Sequence, residues 1–265
     1  MQTITSRDNP KLKSAIRLHD SRGRRQQGRI IVFGAAEIAR GAASGIRFQE
    51  LFCDGGSQEQ LLELVGNQPA LSDSGMYSLP EPLFQKLSFG DRKSGFVATA
   101  ERPSTDIKDF NPSKNALVLV LEAIEKPGNV GAVFRSASGA GVEAILLADR
   151  ITDCFHPNVI RSSLGSLFSI PVFEASSEQT LDILREKDFQ IVTTRVDGRT
   201  SCYDCDMRKR SAIVMGNEAN GLSDSWTGDG ITAVQVPMAG EIDSLNIAMT
   251  ATLLAYEAYR QRHTA

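Results

Sequence analysis

No apolar run in this chain approaches the roughly twenty residues that a membrane-spanning helix needs, and the opening stretch MQTITSRDNPKLK lacks the apolar core of a secretory signal. A protein with no membrane anchor, working in the cytoplasm, is expected. Cysteine is scarce. Four cysteines in 265 residues are too few for a disulfide scaffold, so reduced thiols are the expectation. Cys202 and Cys205 form a single Cys-x-x-Cys, but a structural zinc takes four ligands and nothing in the sequence brings Cys154 and His156 to that pair; no metal is expected. The three histidines, His19, His156 and His263, form no catalytic grouping. Also missing are a G-x-G-x-x-G after a strand and a P-loop, the signatures of two common nucleotide-binding folds.

What is present is an ordinary globular composition, 41% hydrophobic and 6% aromatic, in a chain long enough for two domains. The net charge of -3 argues against a uniformly basic nucleic-acid binder, yet the charge is segregated. Residues 1–29 carry Arg7, Lys11, Lys13, Arg17, Arg22, Arg24, Arg25 and Arg29 against only Asp8 and Asp20. Positive charge gathered in one segment is what a phosphate backbone is drawn to, and Arg22, Arg24 and Arg25 are the candidate phosphate contacts. A solvated arm is the alternative.

Along the first half, Asn9-Pro10 opens a short helix through Leu12, Ile16 and Leu18, and residues 22–28 follow as a basic loop. Strands at 30–33, 49–53, 76–79 and 95–100 alternate with helices at 35–43, 58–65 and from Pro82, which gives a small α/β domain over residues 1–105. Residues 103–115, rich in Pro, Ser, Asp, Asn and Lys, read as an interdomain linker. The second domain, residues 113–265, opens on ALVLVL from Ala116, a continuous apolar run suited to a parallel strand covered on both faces. Further strands at 144–148, 170–173, 190–194, 212–215 and 232–236 alternate with helical patterns. A parallel α/β sheet follows, with ligands gathered beyond the carboxyl ends of its strands.

Three stretches stand out in this second half. Residues 127–137 read PGNVGAVFRSA, 216–223 read GNEANGLS, and 236–247 read VPMAGEIDSLNI. The last runs from a strand end through Pro237, which cannot continue a central ladder, and a polar turn at Gly240 into a helix that Asp243 or Ser244 can cap. In this order the three resemble the motifs of the SpoU (TrmH-like) RNA ribose 2'-O-methyltransferases, and RSSLGSLFSIPV from Arg161 is similar to a less specific block of that family. One departure stands at Ala219 and Asn220, where the family more often has a glycine and then a variable residue. The resemblance implies a SPOUT methyltransferase fold: an N-terminal α/β substrate-binding domain, then a parallel-sheet catalytic domain tied in a trefoil knot. It also implies a homodimer that transfers a methyl group from S-adenosylmethionine to a ribose 2'-hydroxyl in ribosomal or transfer RNA.

That reaction takes a proton from a weakly acidic hydroxyl while it meets a sulfonium methyl in line. Arg135 stands at the essential arginine of the family motif. A guanidinium keeps its proton in proteins, so Arg135 is cast as a clamp on the neighbouring phosphate and a stabiliser of the developing alkoxide. The resemblance makes Asn129 a positioning residue, Glu218 an acceptor that orients Asn129 or Arg135, and Ser244 and Asn246 contacts to substrate and cofactor. It places S-adenosylmethionine against backbone at Gly216, Val236 and Leu245, with Met238 and Thr194 as further walls. Without it, Asn129 and Ser244 read as helix caps, Glu218 as an exposed loop carboxylate and Met238 as core filling. Two other classes remain: a noncatalytic RNA-binding protein retaining the fold, and a nucleotide-dependent oxidoreductase, which lacks its glycine fingerprint.

Overall fold

Asn9 starts the first helix by accepting hydrogen bonds from the amides of Lys11 and Leu12, with Pro10 in the first turn where a missing N–H costs nothing. The computed structural model describes residues 1–88 and 95–264. Its chain divides into two units, Met1–Pro103 with Asp153–Ser169, and Ser104–Thr152 with Ile170–Ala265. The first unit holds β1 (Gln2–Thr3), α1 (Pro10–Arg17), α2 (Ser21–Gln27), β2 (Arg29–Phe33), α3 (Ala35–Ala43), β3 (Phe48–Asp54), α4 (Gln58–Asn67), β4 (Gly75–Leu79), α5 (Glu81–Leu87) and β5 (Phe96–Glu101). The sheet order is β1-β4-β3-β5-β2. It is mixed, since β3 runs parallel to β4 and antiparallel to β5. Leu12, Ile31, Phe52, Leu79 and Phe84 form its core.

The stretch expected as a basic loop, residues 22–28, is mostly helix α2. Glycine makes it possible. A Cβ on Gly23 would lie 1.8 Å from the carbonyl oxygen of Arg17, and Gly28 ends the helix in the left-handed conformation at φ 60°.

In the second unit, β6 (Leu117–Glu122) and β7 (Ala144–Ala148) are buried along their whole length, as parallel strands covered on both faces must be. The helix α6 (Pro127–Gly139) joins them. Residues 153–169, with α7 (Pro157–Ser162), then belong to the first unit rather than to the domain expected from Ser113 onward. On return come β8 (Val172–Ala175), α8 (Ser177–Glu186), β9 (Gln190–Thr194), β10 (Thr200–Ser201), β11 (Ser211–Met215), β12 (Ile231–Gln235) and α9 (Ile247–His263). The order is β10-β12-β9-β11-β6-β7-β8, and these pairings are all parallel.

The expected linker is not free chain. From Ser104 it belongs to the second unit, Asp106 forms a bridge with Glu174, and Phe110 is buried against Phe173 and Phe189. Helices α6 and α9 pack closely: Ser136 Oγ lies 2.6 Å from Thr252 Oγ1, and a Cβ on Gly139 would fall 2.6 Å from the Tyr256 hydroxyl. No helix among the described residues is long and apolar enough to cross a membrane.

Candidate active site

Because the strands of the second unit run parallel, their carboxyl ends share one edge of the sheet. Four neighbours, β12, β9, β11 and β6, end there, and the chain leaving β6, β11 and β12 carries the three sequence motifs. Glu218, on the loop after β11, is where those motifs meet. Its Oε1 accepts from Asn129 Nδ2 and, at 3.1 Å, from Asn246 Nδ2. Its Oε2 accepts from Lys126 Nζ at 2.7 Å. Asn246 Nδ2 also lies 3.3 Å from Asn129 Oδ1. Three stretches far apart in sequence are thereby joined through one carboxylate. Its hydrogen bond holds the Lys126 ammonium above the usual lysine range.

Asn246 does two jobs. Its Oδ1 accepts from the Ala248 amide at 2.9 Å, so Asn246, not Asp243 or Ser244, caps α9. Its Nδ2 is thereby turned toward Glu218. Ser244 is exposed and its side chain makes no hydrogen bond to a described residue. Arg135 lies six residues beyond Asn129 on α6, about one and two-thirds turns away. It is exposed and makes neither a hydrogen bond nor an ion pair with any described residue. The structure thus joins Asn129, Glu218 and Asn246 directly, and leaves Arg135 and Ser244 outside that network.

The loop 216–223 is folded back on itself. A Cβ on Gly216 would lie 2.3 Å from the carbonyl carbon and oxygen of Gly221, and the Gly221 amide donates to the Asn217 carbonyl at 2.8 Å. Gly221 has φ 67°, so it supplies the left-handed turn although Ala219 and Asn220 replace the usual glycine pattern. Asn217 Nδ2 donates to the Ala123 carbonyl at 3.0 Å. Ala123 itself stands at φ 52°, a left-handed conformation costing a non-glycine residue about 1–2 kcal/mol.

For the cofactor candidates, Thr194 ends β9 and its hydroxyl donates to the Val214 carbonyl at 3.3 Å. Val236 follows β12, and Met238 and Leu245 are exposed on the loop 236–246 together with Ile242. On either side of Thr194 in sequence, Thr193 Oγ1 and Arg195 Nη1 are buried without a hydrogen-bond partner. Unsatisfied polar atoms on either side of Thr194 and exposed apolar side chains on the loop 236–246 suit a ligand with an aromatic body and polar edges.

Of the three RNA-contact candidates, Arg22 and Arg25 are exposed, whereas Arg24 is 0% exposed. Arg24 Nε donates to Asp153 Oδ2 at 2.8 Å, and Nη1 donates to the carbonyls of Leu18 and His19, both at 2.8 Å. A guanidinium so enclosed cannot reach a phosphate; Arg24 is a structural residue of the first unit. Arg102 Nη1 donates to the other oxygen of Asp153 at 3.0 Å. Burial pushes the Asp153 carboxyl up, but the Arg102 and Arg24 guanidiniums outweigh it and hold the group below the ordinary carboxylate range. Cys202 and Cys205 are buried free thiols, each raised by its burial. Sequence reasoning passed over Lys126, Asn217 and Glu122, although an acidic residue closing an apolar strand run was a visible signal.

The motif loops thus converge past the central strands of a parallel sheet, the place where ligands of such sheets are bound. The model of the SpoU rRNA Methylase family matches residues 116–256. A 23S rRNA (uridine(2479)-2'-O)-methyltransferase of Streptomyces viridochromogenes is 29% identical over 98% of this chain and 92% of its own. A solved RNA 2'-O ribose methyltransferase superposes with a TM-score of 0.84 at 35% identity, covering 98% of this chain and 99% of that one. The SpoU methyltransferase AviRb from Streptomyces viridochromogenes, in complex with AdoMet, gives 0.86 at 27% identity, covering 97% and 99%. The chain belongs to the SpoU rRNA Methylase family.

Proposed function

We propose that this chain transfers the methyl group of S-adenosylmethionine to a ribose 2'-hydroxyl in ribosomal or transfer RNA, with ribosomal RNA favoured by the 23S rRNA enzyme among its relatives. The observation that carries the reading is the Asn129–Glu218–Asn246 network, which ties the three motif stretches together beyond the strand ends. S-adenosylmethionine, when bound, supplies the electrophilic methyl. The chain's own residues supply position and charge. Asn129 and Asn246, held by Glu218, orient the nucleotide, with Ser244 as a further contact. Arg135, an exposed cation with no protein partner among the described residues, clamps the adjacent phosphate and stabilises the alkoxide as its proton leaves. Backbone at Gly216, Val236 and Leu245, walled by Thr194 and Met238, holds the cofactor.

In the same reading, residues 1–105 deliver RNA through Arg22 and Arg25, and residues 113–265 hold the chemistry. A homodimer fits the exposed Met249, Tyr256 and Tyr259 on α9, and the cytoplasm is the compartment where its RNA substrate would be met. A trefoil knot in the second unit is part of the same reading. The test is direct. Arg135→Ala should abolish methyl transfer to RNA while binding S-adenosylmethionine with nearly wild-type affinity; wild-type turnover in that variant would remove Arg135 from the site. Mapping ribose methylation in RNA from cells with and without the protein identifies the nucleotide.

A further inference from the structure

Glu122 ends β6 and is 3% exposed, yet among the described residues no cation pairs with its carboxylate. Four donors converge on it instead. Oε1 accepts from Ser177 Oγ at 2.6 Å, Ser223 Oγ at 2.6 Å and Trp226 Nε1 at 2.8 Å, while Oε2 accepts from the Ser223 amide at 2.8 Å. Hydroxyls can turn to accept; the Ser223 amide and the Trp226 indole cannot. These two fixed donors fall on different oxygens. A glutamine here, in either orientation, would set its own amide hydrogens against one of them. The site therefore calls for acceptors at both positions, which a carboxylate supplies and an amide does not.

Three of the four donors tether the chain that follows Glu218. Loop 216–223 is fixed at its start by β11, whose Met215 is in register with Leu121 of β6. It is fixed just before Glu218 by Asn217 Nδ2 on the Ala123 carbonyl, and at and just beyond its end by Ser223 and Trp226 on Glu122. Glu122 and Ala123, adjacent residues where β6 ends, thus hold the loop on both sides of Glu218. We propose that Glu122 is a positioning residue for methyl transfer: it fixes loop 216–223 so that Glu218 meets Asn129 and Asn246 and the Gly216 backbone faces the cofactor. This rests on the reading of the site given above.

The two serine hydroxyls provide a matched test in the full-length protein. Both bond the same oxygen at the same distance, but Ser223 belongs to the loop and Ser177 to α8. Ser223→Ala should weaken S-adenosylhomocysteine binding by calorimetry, and lower kcat on RNA lacking the modification, by about three- to tenfold. Ser177→Ala should leave both within about twofold at a similar loss of Tm, because the hydrogen bond it removes does not tether the loop. Glu122→Gln should cost about tenfold or more in affinity and shift the emission of Trp226, the one tryptophan in the chain. Equal loss of Tm in the two serine variants with affinity and kcat unchanged in both would overturn the role of Glu122, whether or not Glu122→Gln folds. Glu218→Ala separates the two levels. If it loses turnover while Ser223→Ala does not, only the Glu122 proposal falls; if Glu218→Ala keeps wild-type turnover and affinity, the reading of the site falls and takes the proposal with it.

Discussion

Three arginines within four residues, Arg22, Arg24 and Arg25, have opposite fates, and the difference is one of partners rather than of charge. The partner of Arg24 lies 129 residues away in sequence, so no count of local charge could have turned it inward. Removing Arg24 leaves Asp153 with Arg102 alone and takes the donor from the Leu18 and His19 carbonyls, a buried unsatisfied group costing about 1–3 kcal/mol. Arg24→Ala should therefore lower Tm sharply, whereas Arg22→Ala with Arg25→Ala should leave Tm unchanged. The exposed pair should act on RNA instead, because each phosphate contact contributes about -0.7 to the slope of log affinity against log salt on single strands. An unchanged slope in the double variant would show these two side chains to be merely solvated. Asp153 adds a pH signature. Its folded carboxyl is held below its unfolded range, so the stability it contributes is complete above the ordinary carboxylate pKa and is lost as pH falls toward the depressed value. Acid denaturation followed by circular dichroism should show that loss in the wild type and little of it in Asp153→Asn.

Strands were the most legible elements, because continuous apolar runs such as ALVLVL leave little choice but a buried parallel position. Six of the second unit's strands fall within a residue or two of the pattern, while two-residue strands such as β10 carry no pattern to read. The helix α2 was missed because its inward face is a charged residue that only a distant carboxylate neutralises. Likewise the cap of α9 was assigned to Asp243 or Ser244, since any short polar side chain can serve and the choice of Asn246 depends on Glu218 drawing its amide the other way. The motif residues Asn129, Glu218 and Asn246 were legible only through resemblance; spacing alone left each with an ordinary role. At this scale the loop 216–223 makes a sharp prediction. Gly216→Ala places a Cβ against backbone, which cannot move aside as a side chain can. The variant should fail to gain Tm on adding S-adenosylhomocysteine, a gain the wild type should show.

At the scale of the molecule, α9 exposes Met249 at 64% together with Tyr256 and Tyr259, on a helix whose other faces bury Ala251, Leu254, Ala255 and Ala258. If a second copy covers the exposed side, Met249→Asp should shift sedimentation from dimer to monomer, since a desolvated carboxylate without a partner opposes association. A monomeric wild type would refute the interface. The division of the chain into units bears on a different question, that of inheritance. The first unit takes residues 153–169 from the middle of the second, so the backbone passes between them three times. A gene segment ending at the codon for Pro103 does not encode a complete first unit, and the remainder would carry Val159, Ile160 and Leu167 stripped of the core they are buried in. Exchange of the first unit by a single recombination would thus leave both products incomplete. Lineages that alter their RNA target are expected to do so by substitution on a conserved frame rather than by swapping modules.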